Sequence, residues 1–276
     1  MFKKCLLIVL SALLLGGCFS PKTENIEKEA YPCISGNILI EKAPEKIAVL
    51  SPELENILTA FSLENTIVGV STDSSRECPI KIGTELSPDI EKIIESGAEY
   101  LFSLMELSEK DINSLSEKGV RAFVLQRPSS SAALKEIYDA IGNMFFGAIE
   151  GSKTSETAFK PFKDALDEAK TAGGGESFIL LSDRNLSQPI NTFTFGVLSE
   201  IFTSASENAV LTEEEIKTKN PDNIFITDKI DEDYLLSLEI SENLSAVENG
   251  SVLSIESDFF EDFSPNKISA LTLLIQ

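Results

Sequence analysis

SSSAALKEIYDAIGNMFFGAIEGSKTSETAFKPFKDALDEAKTA, residues 129–172, is a stretch of helical periodicity in the middle of the chain. Apolar side chains recur in it at spacings of three and four residues, which predicts a helix with one buried face. They form two groups: Leu134, Ile137, Tyr138, Ile141, Met144, Phe145 and Ile149, then Ala158, Phe162, Ala165, Leu166 and Ala169. Gly173-Gly174-Gly175 predicts the end of the helix, because glycine has a low helix propensity. Pro161 predicts a kink, since an interior proline lacks an amide donor.

A strand–helix pattern precedes this segment, and a second one follows it. Short apolar runs predict strands near residues 46–50, 66–70, 98–103 and 121–125, and again near residues 177–181, 223–227 and 250–255. Strands of continuous apolar character that alternate with helices predict mostly parallel sheets covered on both faces. The sequence therefore predicts an α/β fold of two lobes, residues 44–128 and 173–276, joined by one long helical segment, residues 129–172.

The N-terminus predicts export and lipid attachment. Lys3 and Lys4 precede an apolar run, residues 5–15, which is too short to span a bilayer comfortably. Leu15-Gly16-Gly17-Cys18 closes this run and resembles the bacterial lipobox. That resemblance implies that residues 1–18 are a lipoprotein signal peptide and that the sulfur of Cys18 carries the lipid. A plain secretory signal with an incidental cysteine is the alternative. Residues 19–43 are polar and predict a solvated tether.

The charge and the cysteines limit the partners. The chain carries 23 basic and 45 acidic residues, a net charge of −22. Such a charge argues against nucleic acid as a partner and against contact with an anionic membrane except through the lipid. Cys33 and Cys78 remain after signal cleavage, and in an exported protein such a pair could form a disulfide. Nothing in the sequence places the two close together, so a disulfide and two free thiols both stay open.

The absence of histidine excludes whole classes of site. Without it there is no Ser-His-Asp or Cys-His arrangement and no imidazole metal site. No glycine-rich phosphate loop follows a predicted strand. Acidic residues are so abundant that no catalytic pair stands out. We therefore predict that the chain is not an enzyme and that it has neither a resident metal site nor an intrinsic cofactor.

Two helix–strand segments, one in each half, match each other. Glu91 and Glu214 occupy equivalent positions, seven residues before the segment that leads into a predicted strand. Asp89 and Thr212 each lie two residues ahead of these glutamates, as helix N-caps would, and Thr212 with Glu215 fits a capping box. Both glutamates then fall in a first helical turn, where the helix dipole favours a carboxylate.

Several short motifs occur in an order that is found in one known family. They are Ile47-Ala48-Val49-Leu50-Ser51-Pro52, Val68-Gly69-Val70-Ser71, Asp89-Ile90-Glu91-Lys92-Ile93-Ile94 and Val247-Glu248-Asn249-Gly250-Ser251-Val252. From about residue 46 to residue 274 the chain thereby resembles the periplasmic-binding proteins for vitamin B12, ferric siderophores and haem. The resemblance implies two α/β lobes that deliver a ligand to an ABC transporter. It also implies that Glu91 and Glu214 meet arginines of the permease. Two exposed glutamates without a partner are the alternative.

Ligands of such sheets sit beyond the carboxyl ends of the strands. Three of the four arginines of this acidic chain lie on the predicted strand-end loops, which favours an anionic ligand group. Phenylalanines on these loops could cover an apolar ligand face. Alternatively, the arginines pair with neighbouring acids such as Asp73, Glu77 and Asp183, and the phenylalanines belong to the core. The candidate ligand contacts are Ser51, Arg76, Arg127, Arg184, Phe193, Phe195, Asp228, Phe259 and Phe260.

The composition also bears on the kind of ligand. Without histidine or tryptophan, the chain lacks the usual ligands for bare zinc or manganese and the indole surface that often stacks on a corrin. We therefore expect an intact metal chelate: a ferric siderophore, haem or a cobalamin. The leading hypothesis is a monomeric, lipid-anchored binding protein of the cell envelope that works with an ABC permease. The alternative is a structural or host-facing surface lipoprotein with a degenerate pocket.

Overall fold

The computed structural model describes residues 30–36, 38–78 and 80–275 of the 276-residue chain. The predicted signal peptide, the lipidation site Cys18 and residues 19–29 of the predicted tether lie outside these described residues. Within them, no helix is both long and apolar enough to cross a membrane.

The first lobe is built on a four-stranded parallel sheet with the strand order β4-β3-β5-β6. An antiparallel hairpin precedes it, and a single 3-10 turn, Glu64–Thr66, lies before β4. In chain order the elements are β1 (Cys33–Ser35), β2 (Ile38–Ile40), β3 (Ile47–Val49), α1 (Pro52–Ala60), β4 (Ile67–Val70), α2 (Ile90–Glu95), β5 (Tyr100–Ser103), α3 (Glu109–Glu117) and β6 (Arg121–Val124).

The helical segment α4 (Ser131–Ala172) leads into the second lobe, whose parallel sheet has the order β8-β7-β9-β10. Its elements are β7 (Ser177–Leu181), α5 (Phe193–Ile201), β8 (Thr203–Ser204), α6 (Glu213–Lys219), β9 (Asn223–Thr227), α7 (Glu232–Ser237), the 3-10 turn Ser241–Asn243, α8 (Ser245–Glu248), β10 (Val252–Ile255) and α9 (Pro265–Leu274). In each lobe the second, first, third and fourth strands lie side by side. The predicted fold class, two repeated α/β lobes joined by a helical segment, is confirmed.

Both sheets are covered on both faces, as their continuous apolar strands predict. Every residue of β5 and β9 is buried. On one face of each sheet a separate core forms, around Ile93 and Leu115 in the first lobe and around Ile216 and Leu235 in the second. The other faces of the two sheets pack against α4 and share one continuous core with it. The two lobes are therefore joined by packing as well as by the chain.

The segment α4 is folded back on itself. The rings of Tyr138 and Phe159 are 5.1 Å apart, and Lys135 Nζ lies 3.2 Å from Glu156 Oε1. In a straight helix these pairs would be separated by about 30 Å, because each residue adds about 1.5 Å. The reversal occurs at Gly147, whose φ of 75° and ψ of 170° are not helical. The segment thus consists of a first limb, residues 131–146, and an antiparallel second limb, residues 148–172.

This reversal corrects the predicted position of the kink. The non-helical backbone of α4 lies at Gly147, whereas Pro161 stays inside the helical second limb. Ile149, which periodicity assigns to the buried face, is 52% exposed, because it follows directly after the turn. The two limbs approach closely at Gly142 and Gly151, where a Cβ on either residue would lie 2.5–2.6 Å from the carbonyl oxygen of the other. Only glycine leaves room for that approach.

The described part of the predicted tether is structured. Tyr31 Oη donates to the carbonyl of Met144 at 2.9 Å, Ser35 Oγ to that of Ala140 at 2.5 Å, and Cys33 Sγ to that of Asn143 at 3.2 Å. The hairpin β1-β2 thereby packs on the first limb of α4, and Cys33 and Ile40 are buried. The prediction of a solvated tether is wrong from residue 30 onward, because alternate residues of this short segment face the core.

The two cysteines of the lobes are both free. The thiol of Cys33 is buried against α4, and Cys78 lies in the loop that follows β4. Burial raises the pKa of the Cys33 thiol. Of the two alternatives that the sequence left open, the structure has the two free thiols.

Candidate functional site

The loops at the carboxyl ends of the two sheets meet across a cleft. In each lobe the first strand lies between the second and the third, so the chain is added on one side of the first strand and then on the other. A crevice opens at such a switch point, at the carboxyl ends of the first and third strands. In the first lobe these are β3 and β5. Across the cleft, Asn56 Nδ2 on α1 donates to the carbonyl oxygen of Asp262, which follows β10, at 3.0 Å.

Ser51 lies in the crevice of the first lobe. It is the N-cap of α1, it is fully buried, and its Oγ accepts from the backbone N–H of Leu104 at 2.8 Å. The same hydroxyl donates to the carboxylate of Glu85, and Leu104 N–H also donates to Glu85 Oε1 at 2.9 Å. The predicted ligand contact Ser51 is thus in the cleft, where a carboxylate of the same chain occupies its hydroxyl.

Arg127 connects three carboxylates, one of them from the other lobe. Its guanidinium lies 2.9 Å from Glu53, 3.2 Å from Glu85 and 3.7 Å from Glu261. Burial lowers the pKa of Arg127, but the attraction and hydrogen bond of Glu53 and the charges of Glu85 and Glu261 outweigh it and raise that pKa. The side chain bridges the cleft as a fully paired cation.

Glu261 is the contribution of the second lobe to this cluster. Its carboxylate accepts from the backbone N–H of Thr194 at 3.3 Å. Burial raises the pKa of Glu261, and repulsion from Glu53 adds to the rise, although Arg127 and Thr194 oppose it. Protonation of this group is therefore easier than for an ordinary surface glutamate.

The other two predicted arginines are also paired. Arg76 Nε lies 3.0 Å from Glu55 Oε2, and its guanidinium donates to Thr59 Oγ1 at 3.2 Å. Arg184 is exposed and lies 2.8 Å from Asp231. The alternative that the arginines pair with acids therefore holds in the structure. Their partners are acids of other elements rather than the sequence neighbours Asp73, Glu77 and Asp183.

The phenylalanines are mostly core side chains. Phe193 and Phe260 are 1% exposed, and Phe193 packs on Phe162 of α4 with ring centroids 6.0 Å apart. The structure places Phe193 and Phe260 in the shared core, which is the alternative that the sequence left open for the phenylalanines. Phe195 is buried against Phe178 and borders a different cavity, beside β8. Phe259 is half-buried under Lys267 Nζ, at 4.9 Å from the ring centroid.

Asp228 follows β9, as predicted for a strand-end loop. It is exposed and accepts from the backbone N–H of Ser257 at 2.9 Å, which lowers the pKa of the Asp228 carboxyl. This contact ties the loop after β9 to the loop after β10. Its observed partner is thus the backbone of its own lobe.

A cavity of about 420 Å³ lies between α1, the loop after β4 and the second lobe. Arg76 is the one predicted ligand residue in its lining, and sequence reasoning missed the others. Pro52 and residues 73–75 lie on the predicted strand-end loops, whereas no sequence signal singles out Glu53, Glu55 and Asp262, because acids are abundant along the whole chain. The lining residues are Pro52, Glu53, Glu55, Asn56, Asp73, Ser74, Ser75, Arg76 and Asp262. Across the described residues, no three histidine, cysteine or acidic side chains converge as a metal site.

Glu91 and Glu214 occupy matched positions on the two lobes. Each is the second residue of its helix, α2 or α6, and each side chain is exposed. The predicted N-caps are confirmed: the Asp89 carboxylate accepts from Lys92 N–H at 3.1 Å, and Thr212 and Glu215 form a capping box. Because the sheets share one strand order, the two helices are equivalent elements of their lobes.

Known proteins show the same architecture, although no family model matches the chain. The chain is 22% identical to an uncharacterized ABC transporter substrate-binding lipoprotein, YvrC, of Bacillus subtilis (strain 168), over 98% of this chain and 94% of that protein. It is similar to a possible iron-binding (periplasmic solute-binding) protein from Staphylococcus epidermidis ATCC 12228, with a TM-score of 0.66 and 16% identity, covering 84% of this chain and 98% of the other.

A vitamin B12 protein gives a third comparison. The periplasmic vitamin B12 binding protein BtuF of Vibrio cholerae has a TM-score of 0.58 and 17% identity, with coverage of 84% of this chain and 98% of BtuF. The predicted resemblance to substrate-binding proteins and the predicted fold are confirmed by these comparisons. Each compared protein is named for binding a substrate or solute, in agreement with the non-enzymatic prediction.

Proposed function

We propose that this chain is the lipid-anchored substrate-binding component of an ABC importer, which captures a metal chelate and delivers it to a permease. One observation carries the proposal. Two parallel-sheet lobes of identical strand order place the carboxyl ends of their strands on opposite sides of one cleft. Ligands of open parallel sheets bind at such ends. The relative named as an ABC transporter substrate-binding lipoprotein supports the same function.

A chelated metal suits the side chains better than a bare ion. The chain has no histidine, and the described residues contain no cluster of acids and thiols that would enclose a cation. An organic ligand that already encloses its metal needs only hydrogen bonds and charges from the protein. The similar structures named for iron and for vitamin B12 support this class, and a ferric siderophore, haem and a corrinoid are its members.

We assign permease docking to Glu91 and Glu214. Each carboxylate is exposed in the first turn of its helix, one on each lobe, at the end of the helix where the dipole favours negative charge. Arginines of a permease would form charge-assisted hydrogen bonds with them. Lipid on Cys18 would hold the protein, as a monomer, on a bacterial membrane, facing the periplasm or the exterior, since two or three acyl chains give durable anchoring.

Binding is tested first, with the mature protein and a panel of haem, cobalamins and ferric siderophores. A ligand that binds only the native state raises the melting temperature. At a ligand concentration of 100 times Kd it adds about 2.7 kcal/mol to the free energy of unfolding. We expect one chelate class to raise the melting temperature and the others to leave it unchanged. If no member of the panel has an effect, the chelate proposal fails.

Docking is tested with the double variant Glu91→Lys/Glu214→Lys. We expect uptake of the chelate by cells to be abolished while the Kd of the chelate stays within about twofold of the original, because neither glutamate lines the cavity beside α1. The matched control is Glu117→Lys/Glu232→Lys, which makes the same charge change at exposed sites on α3 and α7. Normal uptake by the Glu91/Glu214 variant would contradict the docking assignment.

A second candidate is a structural or host-facing lipoprotein with a degenerate pocket. It is favoured by the paired arginines and by the burial of Phe193 and Phe260. The two candidate functions predict different results in the binding panel and in the uptake measurement. The second candidate predicts no chelate-dependent change in melting temperature and no transport defect when the gene for the chain is removed.

A further inference from the structure

The cleft is acidic even though two of the four arginines of the chain lie on it. Among the described residues, Arg76 and Arg127 face six carboxylates there, a formal charge of −4. Lys81 is turned away from the cavity, since its Nζ donates to the backbone carbonyls of Ser74 and Arg76. The carboxylates are those of Glu53, Glu55, Asp73, Glu85, Glu261 and Asp262.

Both arginines on the cleft are fully engaged. Arg127 lies within ion-pair distance of three carboxylates, and Arg76 binds Glu55 and Thr59. An anionic ligand group would have to displace a carboxylate that is already paired, and it would enter among several like charges. Like charges in a partly buried site repel strongly, because they are only weakly screened. The anionic ligand expected from the sequence therefore does not fit this electrostatic environment.

Two carboxylate oxygens of residues that line the cavity have hydrogen-bonding capacity left. Glu53 pairs with Arg127 through Oε1, and Glu55 pairs with Arg76 through Oε2. The other oxygens, Glu53 Oε2 and Glu55 Oε1, are buried and receive no donor from the described residues. Glu55 as a whole is only 6% exposed. A buried polar atom without a partner carries a desolvation cost that a donor would remove.

We propose that the cavity beside α1 takes a cationic, hydrogen-bond-donating group of the ligand, an ammonium or a guanidinium, at Glu53 and Glu55. This rests on the proposed function and names the ligand chemistry of the same cleft. Asp262 of the second lobe lines the same cavity, and its carbonyl already accepts from Asn56 of the first. A cation bound there contacts acids of both lobes, so it favours the arrangement in which they are together.

The cavity size indicates which part of a ligand enters. A volume of about 420 Å³ is at the lower end for small-molecule sites, which are typically about 300–1,000 Å³. It accommodates an amino-alkyl or guanidino arm, while the bulk of a chelate lies in the cleft outside. The charged arm would thus select among chelates that are otherwise alike.

The test uses two matched pairs of probes with the mature chain. The first pair is ferrioxamine B, which carries a free primary ammonium, and its N-acetylated form, in which that group is a neutral amide. The second pair is cadaverine and glutarate, small chains with opposite charges, each at millimolar concentration. We expect ferrioxamine B to bind about tenfold more tightly than the acetylated form, as a charge-assisted hydrogen bond predicts. We also expect cadaverine, and not glutarate, to raise the melting temperature.

The variant Glu53→Gln/Glu55→Gln should abolish both preferences. Its matched control is Glu109→Gln/Glu117→Gln on α3, which removes the same charge at exposed sites. Because loss of the Glu55–Arg76 pair could weaken folding, Glu53→Gln alone is measured as well, and it should reduce the preference for the ammonium while the chain stays folded.

Three results would overturn the inference. The first is equal affinity for ferrioxamine B and its acetylated form, and the second is that the α3 control loses the preference as fully as Glu53→Gln/Glu55→Gln does. The third is that neither ferrioxamine B nor cadaverine changes the melting temperature. The proposed function is read out separately, by the uptake defect of the Glu91/Glu214 variant. Charge-dependent probe binding with normal uptake in that variant would leave the cleft chemistry intact and remove only the docking assignment. An uptake defect in that variant without charge-dependent probe binding would support the docking assignment and remove the proposed cation site.

Discussion

At the carboxyl ends of its strands the first lobe places Glu53, Glu85 and Arg127 on the cleft, whereas the second lobe contributes Glu261 and buries aromatic side chains in the core. Both sheets have the same strand order. Glu53, Glu85 and Arg127 of the first lobe form one ion-pair cluster. Phe193 and Phe260, at comparable places in the second lobe, are buried. A repeated topology therefore repeats the position of a strand end, and the side chains placed there decide its chemistry.

The largest expected loss of stability comes from removing a core phenylalanine, and it compares the cores of the two lobes. Phe178 on β7 meets the rings of Phe195, Phe202 and Phe225, whereas Phe102 on β5 meets two rings. We expect Phe178→Ala and Phe102→Ala each to lower the free energy of unfolding by about 3–5 kcal/mol, with Phe178→Ala the larger. Because the lobes share one core, each variant should still unfold in a single transition by calorimetry.

Half-buried Phe259 provides the matched control, since Phe259→Ala removes the same ring from a more accessible site. Two separate thermal transitions, one for each lobe, would show that the lobes are independent and would refute the shared core.

A smaller effect is expected at the arginines. Arg127→Ala removes a cation that Glu53, Glu85 and Glu261 share, and we expect it to lower the free energy of unfolding by about 1–2 kcal/mol, discounted for the partial exposure of Arg127. Arg184→Ala in the second lobe breaks an exposed pair with Asp231 and should cost at most about 0.5 kcal/mol. Urea unfolding measures both, and equal losses would remove the distinction between a cleft arginine and a surface arginine.

The smallest effect concerns pH. The pKa of Glu261 is higher in the folded chain than its ordinary value, because burial disfavours the charged form. The folded state therefore binds more protons, and ionisation of Glu261 lowers stability as the pH rises above the usual glutamate range. We expect Glu261→Gln to increase the melting temperature relative to the original chain at about pH 8 and to lose this advantage near pH 4.

Asp222 provides a control of opposite sign in the second lobe. The backbone N–H of Ser177 donates to its carboxylate at 2.8 Å and lowers the pKa of Asp222. Asp222→Asn should therefore lower the melting temperature at about pH 8, and this loss should shrink as the pH falls through the lowered pKa. If Glu261→Gln and Asp222→Asn changed the melting temperature at about pH 8 in the same direction, the opposed pKa shifts of Glu261 and Asp222 would be contradicted.

Much of the fold follows from local patterns. The seven predicted strands are present, and Asp89 and Thr212 cap their helices as their spacing indicates. These features depend on residues within a few positions of one another. The strand β8 was missed because it has two residues, and the hairpin β1-β2 because its apolar residues alternate over too short a length.

The site follows from the sequence only in part. The prediction that arginines gather at the strand ends identified Arg76 and Arg127, which lie at the cleft. Their acidic partners were not predicted: Glu53 is 74 residues from Arg127, and no local pattern reports such a pair. Because these acidic partners already neutralise the arginines, the structure leads us to propose a cationic ligand group instead of the anionic one expected from the sequence.

The amino-acid sequence by itself determined the periodicity of the helices, the continuous apolar strands, the repeat of two lobes and the absence of imidazole chemistry. Only the tertiary structure decided that α4 reverses at Gly147, that the phenylalanines lie in the core and that the cleft is acidic. The physical reason is the range of the interactions. Periodicity and capping act within a few residues, whereas burial and ion pairing depend on which distant segments the chain topology brings together.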